Sequence, residues 1–172
     1  MKAQKVFISI ALFSLLTAGS FALDVKTDYD RAANFDKYKT YSWQKVDAGD
    51  QLWTDRIKRD VDAALAAKGW TQVPSDGNIS LVATGVTTNQ QTLNTYYNSF
   101  GRRGGFGNST TTVDNYKVGT LVLAMVDTQT KKLVWRGSAS GALSNKSDKN
   151  IKNLDKGVQK MLKNFPPEES EK

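Results

Sequence analysis

The apolar and polar positions of the first part of the chain change from strand spacing to helix spacing. From Leu23 to Tyr29 they alternate, which predicts a half-buried strand. The aromatic and Thr-rich run Tyr38 to Trp43 predicts a second short strand. From Leu52 to Lys68 apolar residues recur three and four apart, which predicts a helix. Asp50 suits its N-cap, and Gly69 suits the left-handed residue that ends it.

The second part of the chain alternates strands with turn signals and closes on a helix. Ile79 to Val86 is a predicted strand. Val118 to Val126 is apolar almost throughout, which predicts a central strand covered on both faces. Leu133 to Leu143 follows after a polar turn and predicts the return strand of a hairpin. The last predicted helix runs from about Asp148 to Asn164, with Ser147 as its N-cap.

These elements follow one another in the order β-β-α-β-β-β-α. Such an order favours an α+β fold, in which a mostly antiparallel sheet carries two helices on one face. We expect one such domain over residues 23–167. Trp70 to Val73 begins a further strand that the turn Pro74 to Gly77 breaks. The polar tail, residues 168–172, is expected to fray.

The segment from Thr87 to Asn115 has the least usual composition. More than half of its residues are Gly, Asn, Ser or Thr. We predict a long flexible hairpin whose ends join the sheet and whose middle, about Asn94 to Ser109, is mobile. A hairpin tip without a role is the simpler interpretation, and a partner-binding arm is the alternative. The candidate contact residues are its aromatic and arginine side chains, namely Tyr96, Tyr97, Phe100, Arg102, Arg103 and Phe106.

The composition excludes several kinds of chemistry. The chain has 172 residues with no Cys and no His. Disulfide scaffolds, thiol nucleophiles, Ser-His-Asp triads and most transition-metal sites are therefore absent. We accordingly expect no cofactor and no metal site. Lys and Arg number 24 against 17 Asp and Glu, which gives a net charge of +7.

The N-terminus carries the three parts of a secretory signal peptide. Lys2 and Lys5 are followed by the apolar run Val6 to Leu16. Small residues then suit cleavage after Ala22, with cleavage after Ser20 as the alternative. The apolar run is too short to span a bilayer, for which about 20 residues are needed. The sequence thus predicts a signal peptide over residues 1–22, export to the periplasm, and no transmembrane segment after cleavage.

Two patterns resemble catalytic motifs. Ser42 to Lys45 matches S-x-x-K, but it lies in a predicted strand, where its first and last residues point to opposite faces. We therefore predict no catalytic residue there. Asp28 and Asp30 share one strand face, which is typical of a solvated surface. A carboxylate pair for cleaving glycans is the alternative, since glycosidases use two such groups.

The last predicted helix carries a stripe of lysines opposite its apolar face. We call Lys149, Lys152, Lys156, Lys160 and Lys163 the lysine stripe. Its simplest interpretation is a solvated helix face. The functional interpretation is a contact with an anionic envelope surface or an envelope protein. The run GRRGGFG in the hairpin is too isolated to predict nucleic-acid binding.

Several segments together resemble one bacterial family. They are VKTDYDRAANFDKYKTYSW, LAAKGW, VGTLVLAMVDTQTKKLVWRG and VQKMLKNFPP. The chain resembles envelope proteins of the family DUF4136, a domain of unknown function. The resemblance implies an exported α+β protein, and many family members are lipoprotein-like, although this chain has no Cys for lipid attachment. It implies no activity.

Taken together, these observations predict an exported periplasmic module of the cell envelope that binds a partner and is not an enzyme. The alternative is a carboxylate-based hydrolase of envelope glycans. A structural or assembly role through an exposed sheet edge is a third interpretation.

Overall fold

A computed structural model describes residues 23–98 and 108–167 of the chain. The predicted signal peptide and the predicted frayed tail lie outside these residues. The described part holds six strands, two α-helices and one short 3-10 helix. In chain order they are β1 (Asp24–Tyr29), the 3-10 helix (Phe35–Lys37), β2 (Thr40–Asp47), α1 (Gln51–Ala66), β3 (Thr71–Gln72), β4 (Ile79–Asn98), β5 (Asn108–Asp127), β6 (Leu133–Ala142) and α2 (Ser147–Met161).

The strands form one mixed sheet in the order β1-β6-β5-β4-β2-β3. The neighbours from β1 to β4 pair antiparallel, whereas β2 pairs parallel with both β4 and β3. The parallel pair arises because α1 connects β2 to the following strands, and a crossover of that length returns the chain in its original direction. The α+β class is confirmed, and the element order matches the prediction except for the added two-residue strand β3. The parallel strands at one edge make the sheet mixed and not purely antiparallel.

Both helices pack on the same face of the sheet. Ile57, Val61 and Leu65 of α1 and Val158 and Met161 of α2 are buried in one cluster with the sheet. The sheet contributes its inward-facing residues to that cluster, among them Ile79, Leu81, Ala83, Leu121, Leu123 and Met125. This cluster is the hydrophobic core.

The opposite face of the sheet has no helix on it in the described part of the chain. Along β5 the buried residues Leu121 and Leu123 alternate with Val122 and Ala124, which are only half-buried. The prediction of a strand covered on both faces was therefore wrong, although β5 is central in the sheet. Small apolar side chains on a partly solvated face produced the misleading pattern.

The helix ends follow from local hydrogen bonds. Asp50 caps α1, since its Oδ1 accepts a 2.9 Å hydrogen bond from the Trp53 amide. Gly69 has a φ of +78° just beyond the helix, as predicted. At the start of α2 the prediction was wrong, because Ser147 is the first helical residue and does not cap it. The Asn150 side chain instead turns back and bonds both backbone groups of Ser144 at 2.8 Å.

The hairpin between β4 and β5 is longer than the predicted strands. Its ladder runs without a shift from Ile79 opposite Asp127 to Asn98 opposite Asn108. Threonine-rich strands supply β-branched side chains and cross-strand hydroxyl contacts, as between Thr95 and Thr111 at 3.1 Å. The expected loop from about Asn94 therefore begins as paired strand, and residues 99–107 lie outside the described residues.

Candidate functional site

A groove opens on the helix-bearing face of the sheet, between the N-terminal halves of the two helices. It has a volume of about 240 Å³. Trp53 and Ile57 form its α1 wall, and Asn153, Leu154 and Gly157 form its α2 wall. Strands β4, β5 and β6 form its floor. An apolar concavity with a few polar groups at its rim is the usual form of a ligand site.

Glycines create the depth of this groove. Gly85, Gly119 and Gly141 lie on three adjacent strands of the floor, and Gly119 is directly opposite Gly141. A Cβ on Gly119 would lie 2.8 Å from Leu143 Cδ2, and one on Gly141 would lie 2.7 Å from Leu23 Cδ2. Side chains at Gly119 and Gly141 would therefore push against these two leucines, and their absence keeps the floor of the groove low.

Cationic side chains stand at the rim of the groove. The Arg56 guanidinium lies 5.0 Å from the centre of the Trp53 ring, an arrangement that favours a cation over an aromatic face. Lys149 and Lys156 are four residues before and three residues after Asn153, so they are its neighbours on the surface of α2. The groove thus combines an apolar interior with a positively charged edge.

Four of the five residues of the lysine stripe lie on α2, and Lys163 lies two residues beyond its end, because the helix stops at Met161 and not at the predicted Asn164. All five lysines are exposed, while Val158, Met161 and Leu162 on the other side of the helix are buried. The carboxylates of Asp148 and Asp155 belong to the same helix, but they lie about 100° or more from every groove-lining position of α2 on a helical projection. The side of the stripe that adjoins Asn153 is therefore free of acidic residues of α2.

The hairpin candidates divide between described and undescribed residues. Tyr96 and Tyr97 belong to β4, where they pair with Thr110 and Ser109. Phe100, Arg102, Arg103 and Phe106 lie outside the described residues. The contact role of these six residues remains a prediction.

The projecting part of this hairpin has no further strand beside it. The last pairs that join β4 and β5 to their outer neighbours are Asp47 with Thr84 and Val118 with Ala142. Beyond them, apart from a 2.7 Å hydrogen bond from the Leu143 amide to the Lys117 carbonyl, β4 and β5 pair only with each other within the described residues. We call this part, residues 87–98 and 108–117, the ribbon.

Asp28 and Asp30 lie at the other edge of the sheet. Both border an open pocket of about 500 Å³ together with Lys132 and Arg136. Both are exposed, and each accepts a local backbone hydrogen bond of 2.9 Å, from Tyr29 and Ala32 respectively. A glycosidase carboxyl pair flanks a cleft that holds the sugar. This pocket provides two carboxylates, and both are solvated and held by local backbone donors.

Two buried tyrosines donate hydrogen bonds to carboxylates, and these contacts shift the pKa values of the groups involved. Tyr38 donates a 2.7 Å hydrogen bond to Asp127, and burial together with this bond raises the pKa of Tyr38 to about 12. Burial and a 2.7 Å bond to Asp62 also raise the pKa of Tyr41. Backbone and side-chain donors, first the Thr130 amide and then Tyr38, hold the pKa of Asp127 below its ordinary value. These pairs join elements of the core and do not adjoin the groove.

The S-x-x-K match on β2 contains a register shift between Trp43 and Lys45, which places Ser42 and Lys45 opposite Ser80 and Val82 on one face of the sheet, so the prediction that they point to opposite faces was wrong. Ser42 of the S-x-x-K match is nearly buried on β2, and its neighbour Gln44 bonds Ser80 at 3.0 Å. Within residues 23–98 and 108–167, no three acidic side chains cluster as metal ligands would. No helix there is long and apolar enough to cross a bilayer.

Sequence reasoning did not find the groove. Its floor comes from glycines on β4, β5 and β6, which are far apart along the chain. Glycine within a predicted strand is a weak signal of a close approach or an open space. Which of the two applies depends on what the neighbouring helices place above the strand, and the linear pattern does not contain that information.

Comparison with solved structures places the fold among bacterial proteins. The crystal structure of a PDZ domain protein from Parabacteroides distasonis is similar with a TM-score of 0.57 and 13% identity, over 86% of this chain and 37% of that one. This chain therefore spans little more than a third of that protein. At such identity the likeness concerns the fold alone.

Two further structures are more distant. The PelC dodecamer from Paraburkholderia phytofirmans has a TM-score of 0.49 and 12% identity, over 82% of this chain and 95% of that one. A minor lipoprotein from Acinetobacter baumannii has a TM-score of 0.38 and 14% identity, over 74% of this chain and 92% of that one. No curated protein matches the sequence.

The family comparison covers nearly all of the described fold. The domain of unknown function DUF4136 matches residues 25–167, from β1 to the residues that follow α2. This match confirms the resemblance carried by the strand and helix segments of the sequence. The chain belongs to the DUF4136 family, a domain of unknown function.

Proposed function

We propose that this protein is an exported, non-enzymatic binding module of the bacterial cell envelope, which holds an envelope protein through the ribbon. The observation that carries the proposal is the unbroken pairing of β4 with β5 far beyond the sheet. An isolated two-stranded hairpin is only marginally stable in water. A ribbon of this length with no neighbour is therefore an element to which a partner would add stability.

The edges of the ribbon lack the usual protection against pairing with another chain. Edge strands are commonly blocked by Lys, Pro or other charged residues. The ribbon contains no Pro, and its charged residues are Asp114 and Lys117. Asp114 is engaged by the Asn94 side chain at 2.8 Å. Long stretches of both edges thus offer unpaired backbone groups for strand addition.

The ribbon also exposes an apolar pair. Leu93 and Val113 lie directly opposite each other, and they are 68% and 49% exposed. A directly opposite pair forms one continuous apolar patch. Together with the aromatic and arginine residues predicted for the tip, this patch would supply contact area and charge-assisted hydrogen bonds.

The location in the proposal rests on the N-terminal sequence. Lys2 and Lys5, the apolar run and the small residues before Leu23 are typical of export signals. Membership of DUF4136, a domain of unknown function, assigns the protein no activity. The lack of Cys and His supports a binding role over most catalytic mechanisms.

Crosslinking in the native envelope tests this function. A photoreactive residue at position 93 should capture a defined partner, because Leu93 is exposed on the ribbon. Replacing Asn98 to Asn108 by a short Gly-Ser bridge should abolish the capture but leave the melting temperature within a few degrees, since loop length enters closure entropy only logarithmically. The matched control changes Lys152, Lys156 and Lys160 to Gln and leaves the ribbon intact. Unchanged capture after excision would show that the tip is a spacer.

The alternative, a glycan hydrolase, is tested by the same purified protein. It would release reducing ends from envelope glycans, and changing Asp28 or Asp30 to Asn would abolish the release. Release that survives both substitutions, or no release at all, argues against this alternative.

A further inference from the structure

The groove between the helices is separate from the ribbon contact proposed above and has its own chemistry. Its lining is mostly apolar, and its volume of about 240 Å³ lies just below the roughly 300 Å³ at which ordinary small-molecule pockets begin. The groove is therefore small. It has room for one alkyl chain but not for a folded peptide.

The mouth of the groove continues this apolar surface outward. Leu23 lines the groove from the start of the described chain, and Leu143 lines it beside Gly119. Thr87 follows on β4 and, by the alternation of strand side chains, lies on the same face as Gly85. A chain that enters here passes from solvent into the space above the floor glycines without meeting a charged side chain among the lining residues.

The rim has the opposite character. Arg56 lies over Trp53 on the α1 side, and Lys149 and Lys156 flank Asn153 on the α2 side. Asp60, one helical turn after Arg56 on α1, is bound through its Oδ1 by Arg59 at 2.8 Å. Cations on both walls would attract a phosphate or another anionic headgroup, because guanidinium and ammonium groups form charge-assisted bonds with it.

From this combination we infer that the groove binds one acyl chain of an anionic envelope lipid, whose headgroup lies among Arg56, Lys149 and Lys156. The charge complementarity at the rim distinguishes this occupant from a neutral lipid or an apolar peptide segment. The inference also gives the lysine stripe a specific task. The side of the stripe next to Asn153 holds the headgroup, and the rest faces the lipid surface from which the chain is taken.

Dodecyl phosphate, used below its micelle concentration, is the direct probe. It should bind the purified protein at a one-to-one ratio in calorimetry, whereas inorganic phosphate and dodecyl maltoside should bind at least tenfold more weakly. Each methylene removed from the chain should weaken binding about fourfold until the chain is shorter than the groove. Equal binding of the neutral detergent would overturn the inference, as would no binding of dodecyl phosphate.

A matched pair of variants places the probe in the groove. Thr87→Phe puts a ring at its mouth and should reduce affinity for dodecyl phosphate at least tenfold. Thr88→Phe places the same ring on the opposite face of the same strand and should leave affinity unchanged. Equal affinities of the two variants would show that the probe binds elsewhere.

A second matched pair of variants tests the charged rim. The double change Lys149→Gln and Lys156→Gln should weaken binding and reduce its dependence on salt, because fewer screened charges contribute. The double change Lys37→Gln and Lys39→Gln removes the same charge far from the groove and should have little effect. Equal effects of both pairs would mean that only net charge matters, which contradicts a built headgroup site.

A fluorescence measurement adds a readout of binding on the unmodified protein. Dodecyl phosphate that carries bromine on its chain should quench the unmodified protein, and the quenching should largely disappear in Trp53→Phe. Vesicles separate a lipid source from a free phosphate: the protein should bind vesicles that contain anionic phospholipid and ignore purely zwitterionic ones. Quenching that persists without Trp53, or binding to both kinds of vesicle, would contradict the inference.

Discussion

The hydroxyl of Tyr38 donates a 2.7 Å hydrogen bond to the carboxylate of Asp127, which lies 89 residues away along the chain. The same carboxylate accepts the amides of Gln129 and Thr130 at 2.8 Å, so it also closes the turn between β5 and β6. Both residues are buried at the edge of the core. One carboxylate therefore ties the segment before β2 to the turn of the central hairpin.

This relationship predicts how stability changes at both ends of the pH scale. Asp127 has a lowered pKa, so its contribution is present above about pH 4 and is lost as the pH falls through its folded pKa. Tyr38 has a pKa raised to about 12, so its contribution is present below about pH 10 and is lost as the pH rises toward 12. Urea unfolding at a series of pH values measures both changes.

Two substitutions assign these changes to the pair. Asp127→Asn should flatten the acid limb of the curve of unfolding free energy against pH. Tyr38→Phe should reduce the alkaline limb of that curve and lower the unfolding free energy by about 1 kcal/mol at neutral pH. Part of the alkaline limb should remain in Tyr38→Phe, because the pKa of Tyr41 is raised as well. Limbs that do not respond to either change would assign the pH dependence to other groups.

The carboxylate of Asp62 is expected to be important for holding α1 on β2. Its Oδ1 accepts hydrogen bonds from Tyr41 at 2.7 Å and from the Trp43 indole at 2.9 Å. Asp62→Ala leaves the buried Tyr41 hydroxyl without this partner and should cost about 2–3 kcal/mol, measured by thermal or urea unfolding. Asp55→Ala on the exposed face of the same helix is the control, and it should change stability by less than about 0.5 kcal/mol. Similar losses in both variants would be inconsistent with the proposed role.

Gly77 should tolerate no side chain. A Cβ there would lie 2.5 Å from the carbonyl carbon of Tyr41 and 2.7 Å from the Ser42 nitrogen, and backbone atoms cannot rotate away. Gly77→Ala should therefore cost about 2–3 kcal/mol in urea unfolding. Gly85→Ala is the comparison, since its nearest neighbours would be 3.5 Å away. It should be neutral or raise stability by about 0.5 kcal/mol.

Export makes a prediction about the N-terminus of the protein in its host. The small residues at positions 20 and 22 favour cleavage after Ala22. Sequencing of the protein from a periplasmic fraction should then begin at Leu23, or at Phe21 if the cleavage follows Ser20. An intact Met1 in a cytoplasmic fraction would refute export.

Local features of the sequence were sufficient for the elements and their order. Alternation in β1 and three-and-four spacing in α1 arise from the geometry of single elements, so they can be recognised without knowing the neighbours. The cap at Asp50 and the left-handed Gly69 are equally local, and both were confirmed. The cap of α2 failed as a prediction because the Asn150 side chain, already inside the helix, bonds Ser144 and replaces an ordinary cap.

Tertiary structure decided what depends on residues that meet from distant parts of the chain. The parallel pairing of β2 with β4 follows from where α1 returns the chain, and the length of the ribbon follows from the match between β4 and β5 over their whole ladder. The groove depends on which glycines the register places side by side beneath two helices, as with Gly119 and Gly141. Sequence spacing describes each strand alone, whereas the empty space above a strand is a property of the elements packed around it.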